Sequence, residues 1–246
     1  MIDPEARANT GARLRHWLAF VWDVVFPPVC IHCRRMGPIL CSDCRGQMVA
    51  VPDSICFRCG RFQKFAVEHA HGGLCQECRQ HPSPVAQMRA PLRYQSPLDQ
   101  VIHRFKYEGY FALAEPLVEY LITGWPAWEQ PLDLVLPIPL HPRRQRRRGY
   151  NQSALLARPL SQALGIAFVP KALHRVRHTI PQVGLGPEER HDNVRGAFSA
   201  DPCVAGHHIL LVDDVLTTGA TMRSAAEALL SAGAASVSAY CLARVS

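Results

Sequence analysis

The chain has 246 residues, 48% hydrophobic and 19% charged, enough to bury a sizeable core and suited to one large domain with a small one beside it. Its formal charge of +7 and pI near 9.0 would suit phosphate-rich partners, yet much of it is one cluster, Arg143, Arg144, Arg146, Arg147 and Arg148. Two zinc-tetrathiolate sites would lower +7 by four, to about +3, so the charge of the whole chain does not by itself argue for a nucleic-acid binder.

Residues 1–29 are expected to form a frayed start and an amphipathic helix, with Trp17, Phe20, Val21 and Val24 sharing one face. The apolar run from Trp17 to Phe26 is short, contains Asp23, meets Pro27 and Pro28 and has no small-residue cleavage site. It reads as neither an export signal nor a membrane span, and packing against the rest of the protein is the simpler use of its apolar face.

Residues 30–82 hold eight of the ten cysteines, always as CxxC: Cys30/Cys33, Cys41/Cys44, Cys56/Cys59 and Cys75/Cys78. In order they make two tetrads, C-x2-C-x7-C-x2-C and C-x2-C-x15-C-x2-C. A CxxC turn converges two sulfurs on one point, as a tetrahedral metal needs, so two structural zinc ribbons are expected. Disulfides would require an oxidising compartment, and a thioredoxin-like redox role would require a strand and helix pattern that does not surround these pairs. Spacing leaves the pairing of the four turns open, and His32, His69, His71 and His81 lie close enough in sequence to replace a cysteine.

After a linker at "HPSP" (81–84), residues 83–246 alternate apolar strands with helices. Strands are expected at 87–94, at 133–140, in "HHILLVDDV" and in "SVSAYCLARV". Helices are expected within 98–123, at 152–165 ending on a glycine, and in "TMRSAAEALLSAG". That alternation predicts an α/β fold with a mainly parallel sheet.

In such folds ligands collect at the carboxyl ends of the strands. The stretch "ILLVDDVLTTGAT" (209–221) sits there: four apolar residues, Asp213 and Asp214, then a threonine-rich turn around Gly219 at the start of a helix. Backbone N–H groups and threonine hydroxyls at a helix N-terminus make an anion cradle. Carboxylates beside it would repel a bare phosphate but suit a ligand that also offers hydroxyls and a magnesium ion, which describes a sugar phosphate. A structural helix cap would account for one acid, not for two with three threonines.

"LLVDDVLTTGAT" resembles the phosphoribosyl-pyrophosphate (PRPP) motif of type I phosphoribosyltransferases. The resemblance implies that Asp213 and Asp214 hold the ribose hydroxyls while Thr217, Thr218, Gly219, Ala220 and Thr221 cradle the 5-phosphate. "LPIPLHPRRQRRRGYNQS" (136–153) falls where that fold places its pyrophosphate loop, which puts His141, Arg143 and Arg144 at the ligand. Residues 175–198 look like the mobile loop that closes over PRPP. With the CxxC pairs and "IHRFKYEG" (102–109), the order of these blocks resembles the competence protein F (ComF) family, a double zinc ribbon joined to a phosphoribosyltransferase domain. The resemblance implies a cytoplasmic protein linked to DNA uptake, with PRPP, single-stranded DNA and the proteins of the competence machinery as its partners.

Asp213 and Asp214 would favour the positive charge that develops on the ribose as pyrophosphate leaves, while Arg143, Arg144, Arg177 and Arg190 neutralise the leaving group. Thr217 stands where some purine-salvage relatives carry an acid beside the base, so the acceptor of a transfer is left open. Some family members are labelled amidophosphoribosyltransferases, but the glutaminase domain and its N-terminal cysteine are not seen in this sequence. Two functions therefore stand side by side: an enzyme moving phosphoribosyl to an unidentified nucleophile, or a non-catalytic competence adaptor that binds single-stranded DNA and uses PRPP as a regulatory ligand. For the adaptor, the arginine cluster would track phosphates while Tyr150, or Phe105 and Tyr107, stack on bases. A solvated helical face is the alternative use of those arginines. If they bind DNA, alanine at Arg146, Arg147 and Arg148 will flatten the salt dependence of single-strand binding, by about 0.7 in log–log slope for each phosphate no longer neutralised. An unchanged slope in a fluorescence-anisotropy titration removes them from the interface.

Overall fold

A computed structural model of the protein describes residues 28–63, 73–177 and 196–245. The expected N-terminal helix and most of the expected mobile loop lie outside these residues. The chain forms two compact units that divide between Gln47 and Met48, so the stretch 30–82 is shared between them.

The first unit holds Cys30, Cys33, Cys41 and Cys44. Val29 and Met36 bridge across the first CxxC turn, and the second turn opens the short helix α1 (Ser42–Gly46). Arg35 pairs with Asp43 at 2.7 Å across the mouth, an exposed contact that contributes little to stability.

The second unit begins with the other cysteine turns, the later one opening α2 (Gln76–Gln80). Then comes the sheet: β1 (Met88–Arg89), β2 (Leu92–Arg93), β3 (Leu134–Pro137), β4 (Ala167–Phe168), β7 (His208–Leu216) and β8 (Ser236–Arg244). Every pairing in it is parallel, in the order β1-β8-β7-β3-β4, with β2 continuing beside β8. The long strand expected at 87–94 is broken in two at Ala90 and Pro91. Proline has no N–H to give a ladder, but the Pro91 carbonyl accepts from Val51 N–H at 2.9 Å. A separate antiparallel pair, β5 (Leu173–Arg175) and β6 (Phe198–Ala200), flanks the expected mobile loop.

Among the described residues the unit has five further α-helices: α3 (Leu98–Tyr107), α4 (Ala114–Thr123), α5 (Pro142–Arg148), α6 (Gln152–Leu164) and α7 (Ala220–Ser231). On one side, Met222, Ala225, Ala226 and Leu229 of α7 pack against Leu136, Ile209, Leu211, Val237 and Ala239 of the strands. Helix α6 packs against β3, β7 and α4, burying Leu156, Ala157 and Leu160. It starts on Asn151, whose side chain accepts from Ser153 N–H, and ends on Gly165 at φ +66°, a left-handed position glycine holds without strain. The buried Tyr240 of β8 shares its hydroxyl between the carbonyls of Leu121 and Gly124, at 3.0 and 2.7 Å, which fastens the end of α4 to the sheet. No helix among the described residues is long and apolar enough to cross a membrane.

Candidate functional site: a paired-acid strand end beside a glycine turn

β7 is the central strand, bounded by β8 and β3, and it continues past the acids to Leu216. Asp213 and Asp214 therefore lie inside the ladder rather than at its exit. Successive strand residues point to opposite faces, and the two carboxylates accordingly find different partners. Asp213 Oδ1 accepts from Ser153 Oγ at 2.6 Å, at the start of α6, and from the Asp214 N–H at 2.9 Å. Asp214 Oδ1 receives Lys106 Nζ from α3 at 2.7 Å, with side-chain exposures of 3% for the acid and 21% for the lysine. The second oxygen, Asp214 Oδ2, is buried with no hydrogen-bond partner among the described residues.

These surroundings set the charges. Burial raises Asp213 from 3.8 to about 6, and Asp214 beside it pushes the same way, against the pull of Lys106 and Ser153. For Lys106, burial works against the ammonium, but Asp214 and Asp213 outweigh it and hold the lysine above its usual value. Arg175, at the end of β5, is 9% exposed. Burial and then Arg144 lower it to about 10, against the attraction of Asp213.

The turn after β7 follows from Gly219, whose φ of +79° makes it the residue before α7. Ala220 N–H donates to Thr218 Oγ1 at 3.4 Å. Thr217 and Thr218 are half-buried in the turn, and Ala220 and Thr221 begin the helix. The structure thus brings both acids, the turn, Ser153 and Arg144 into one neighbourhood.

His141 caps α5 by accepting from Arg143 N–H at 3.3 Å, while the Arg143 side chain is exposed. Arg146 and Arg147 are also exposed, as a solvated helical face would have them. The aromatic expectation needs correcting: Phe105 is fully buried and offers no stacking face. The Tyr150 hydroxyl donates to the Phe105 carbonyl, and Arg148 lies 5.0 Å from the Tyr107 ring centre. Tyr107 and Phe111 are the aromatics here that remain exposed.

Lys106, Ser153 and Arg175 are the contributions that sequence reasoning did not assign to the acids. A signal existed for Lys106. Leu98 and Ile102 are buried on α3, and a further step of four lands on Lys106, where a cation on a buried stripe demands an anion.

The cysteines form two sets, Cys30, Cys33, Cys41, Cys44 and Cys56, Cys59, Cys75, Cys78, each with its sulfurs within 4.8 Å of one another. Consecutive pairing of the turns is therefore the one realised. Cys33 and Cys41 are 3.6 Å apart and Cys59 and Cys75 3.8 Å. A zinc tetrahedron with bonds of about 2.3 Å has edges of about 3.8 Å, whereas a disulfide needs about 2.05 Å. Both sets fit a zinc ion held by four thiolates.

A double zinc ribbon domain model matches residues 21–79, and a phosphoribosyl transferase domain model matches residues 150–246. Fold and site together define a protein with a phosphoribosyltransferase-type domain behind a double zinc ribbon. Relatives extend over nearly the whole chain. DNA utilization protein YhgH of Salmonella typhimurium is 36% identical over 228 residues, covering 89% of this chain and 97% of that one. Competence protein F of Haemophilus influenzae is 33% identical over 227 residues, covering 87% and 96%. The chain belongs to the competence protein F family. Among solved structures, a glutamine PRPP amidotransferase from B. subtilis aligns at a TM-score of 0.33 and 22% identity, over 53% of this chain and 25% of that one.

Two outcomes follow from the acid pair. The raised Asp213 carboxyl favours the folded state below about pH 4, and that contribution is lost as pH rises from 3.8 to about 6. Asp213→Asn should therefore gain on the wild type across that window, by on the order of 2 kcal/mol in urea unfolding; a flat difference would mean Asp213 ionises normally. Lys106→Met strands a buried carboxylate and should cost about 3 kcal/mol. Adding Asp214→Asn should recover more than half of that loss, and additive costs in the double-mutant cycle would show the pair is uncoupled.

Proposed function

We propose that this protein binds PRPP with magnesium at the end of β7, using Asp213 and Asp214 for the ribose hydroxyls and the turn from Thr217 to Thr221 for the 5-phosphate. The observation that carries the reading is the union of two adjacent acids, Asp213 half-buried and Asp214 buried with an unpartnered oxygen, and a left-handed glycine turn opening α7. An anion site alone would not place carboxylates beside the cradle. Hydroxyls and a divalent cation on the same ligand give both features a use.

His141, Arg143 and Arg144 would face the pyrophosphate, with Arg175 adding a cation that the PRPP motif did not include. The acids fit magnesium as oxygen donors, although Lys106 already occupies one oxygen of Asp214. Magnesium bound with PRPP would supply neutralisation of the pyrophosphate oxygens. This chain's own part is to orient the ribose and to hold the leaving pyrophosphate. In a transfer, the C1–O bond breaks with both electrons leaving on pyrophosphate, and the acceptor's lone pair forms the new bond at C1. Thr217 carries no basic group for the acceptor's proton, so the acceptor is one that does not depend on a carboxylate at that position.

The names of the relatives, competence protein F and DNA utilization protein, support a role in handling DNA during uptake. A second reading has its own observation: Arg143, Arg146 and Arg147 form an exposed basic face on α5, near exposed Tyr107 and Phe111. That face supports single-stranded DNA binding, with PRPP as a regulatory ligand rather than a substrate. Cysteines free for metal in both tetrads are suited to the reducing cytoplasm, where we place the protein.

Calorimetric titration of Mg-PRPP tests the site. The wild type should bind, and Asp213→Asn/Asp214→Asn should weaken binding at least about a hundredfold, as the removal of two charge-assisted hydrogen bonds would. No binding by the wild type would overturn the PRPP reading.

A further inference from the structure

The second cysteine ribbon and the Thr217–Thr221 turn are joined by one residue. Within the ribbon's first CxxC turn, the Arg58 carbonyl accepts from Met88 N–H at 2.7 Å. Gly60, at φ +67°, lies so close to β1 that an added Cβ would stand 2.5 Å from the Met88 carbonyl oxygen. The main chain of Met88 is thus clasped by the metal-binding turn. Its side chain, 1% exposed, runs to the other end of the site. There its sulfur lies 3.0 Å from where a Cβ on Gly219 would be, and its terminal methyl 3.3 Å.

A second tether runs through β8. Leu216, the residue before Thr217, pairs with Arg244 in the ladder, and Val245 N–H donates to the Leu216 carbonyl at 3.0 Å. Arg244 is 4% exposed, with Nε and Nη1 buried and without hydrogen-bond partners among the described residues. Two further arginines of the neighbouring strands lie over aromatic rings of the ribbon. Arg93, opposite Arg244 on β2, has a buried, unpartnered Nε and covers the Phe62 ring at 4.9 Å. Arg89 covers the Phe57 ring at 5.4 Å and feels Cys56 and Cys59.

Buried guanidinium groups without carboxylates are costly unless some other anion answers them. Four thiolates around one zinc would carry a net charge of about −2, favourable to the Arg89 and Arg93 guanidiniums that lie over the ribbon's Phe57 and Phe62 rings.

We infer that the second ribbon is a working part of the ligand site: its metal-loaded Cys56–Cys59 turn positions the Thr217–Thr221 turn through Met88 and Arg244, which act as positioning residues. Metal loading of this one tetrad sets the geometry of the turn. The consequence for PRPP rests on the function proposed above; the consequence for the turn does not.

The test uses the full chain and Gly60→Ala, which alters no cysteine and no arginine but drives the ribbon off Met88. Zinc content by elemental analysis should match the wild type, amide exchange from Ala220 to Arg223 should quicken about tenfold, and Mg-PRPP affinity should fall by a similar factor. Met88→Leu keeps the main-chain bond but withdraws the sulfur from Gly219, and it should quicken the same amides if Gly60→Ala fails to fold. Cys75→Ser/Cys78→Ser should reproduce the effect, while Cys41→Ser/Cys44→Ser controls for zinc loss in general and should not. Exchange at the turn within twofold of wild type in Gly60→Ala or Met88→Leu, or equal quickening from either pair of cysteine changes, would overturn the inference. If the wild type fails to bind Mg-PRPP, the proposed function fails, and the exchange data still decide this one.

Discussion

Asp213 and Asp214 are adjacent carboxylates on the central strand of a parallel sheet, and a medium of low dielectric does not accept two such charges unaided. Lys106 answers one of them at 2.7 Å, and Ser153 and a backbone N–H answer the other. The two answers come from different helices, α3 and α6. The lysine draws α3 over the strand end, and the serine fixes where α6 begins. Removing either acid would free a polar contact to a helix.

The alternation of side chains along β7 gives the site two sides. One acid looks to the start of α6 and the other to α3, so a ligand lying across the strand end would meet a different carboxylate on each side of the sheet. The Asp213 carboxylate attracts the Arg175 guanidinium, which burial and Arg144 oppose. Asp213, part-neutralised near pH 6 by burial and by its neighbour, and Asp214, held by Lys106, carry less charge together than their number suggests.

The cysteine tetrads share a chemistry but not a setting. Cys30, Cys33, Cys41 and Cys44 belong to a compact unit of their own, while Cys56, Cys59, Cys75 and Cys78 fold with the sheet. The second ribbon's Phe57 and Phe62 lie under Arg89 and Arg93 of β1 and β2, and its first turn clasps β1 through Met88. Small zinc ribbons have little apolar core of their own, and this one gains its support from the edge of a larger domain.

The cysteine spacing, the strand and helix periods and the "VDDVLTTGAT" signature were readable because each depends on residues close in the chain. A CxxC turn converges by itself, a buried strand announces itself as an apolar run, and Gly219 and Gly165 mark helix ends wherever they stand. The sequence could not show that Lys106 reaches Asp214 across 108 positions, that Ser153 binds Asp213, or that Arg175 belongs to the site. It also read Phe105 as a stacking surface, because an aromatic residue between Arg104 and Lys106 looks exposed until the helix is laid on the sheet and that ring turns inward. Nor did the spacing reveal that the second ribbon would grip Met88. Local pattern determines which elements form; which side chains then face one another depends on sheet order and packing, and charge compensation in the interior is settled only there.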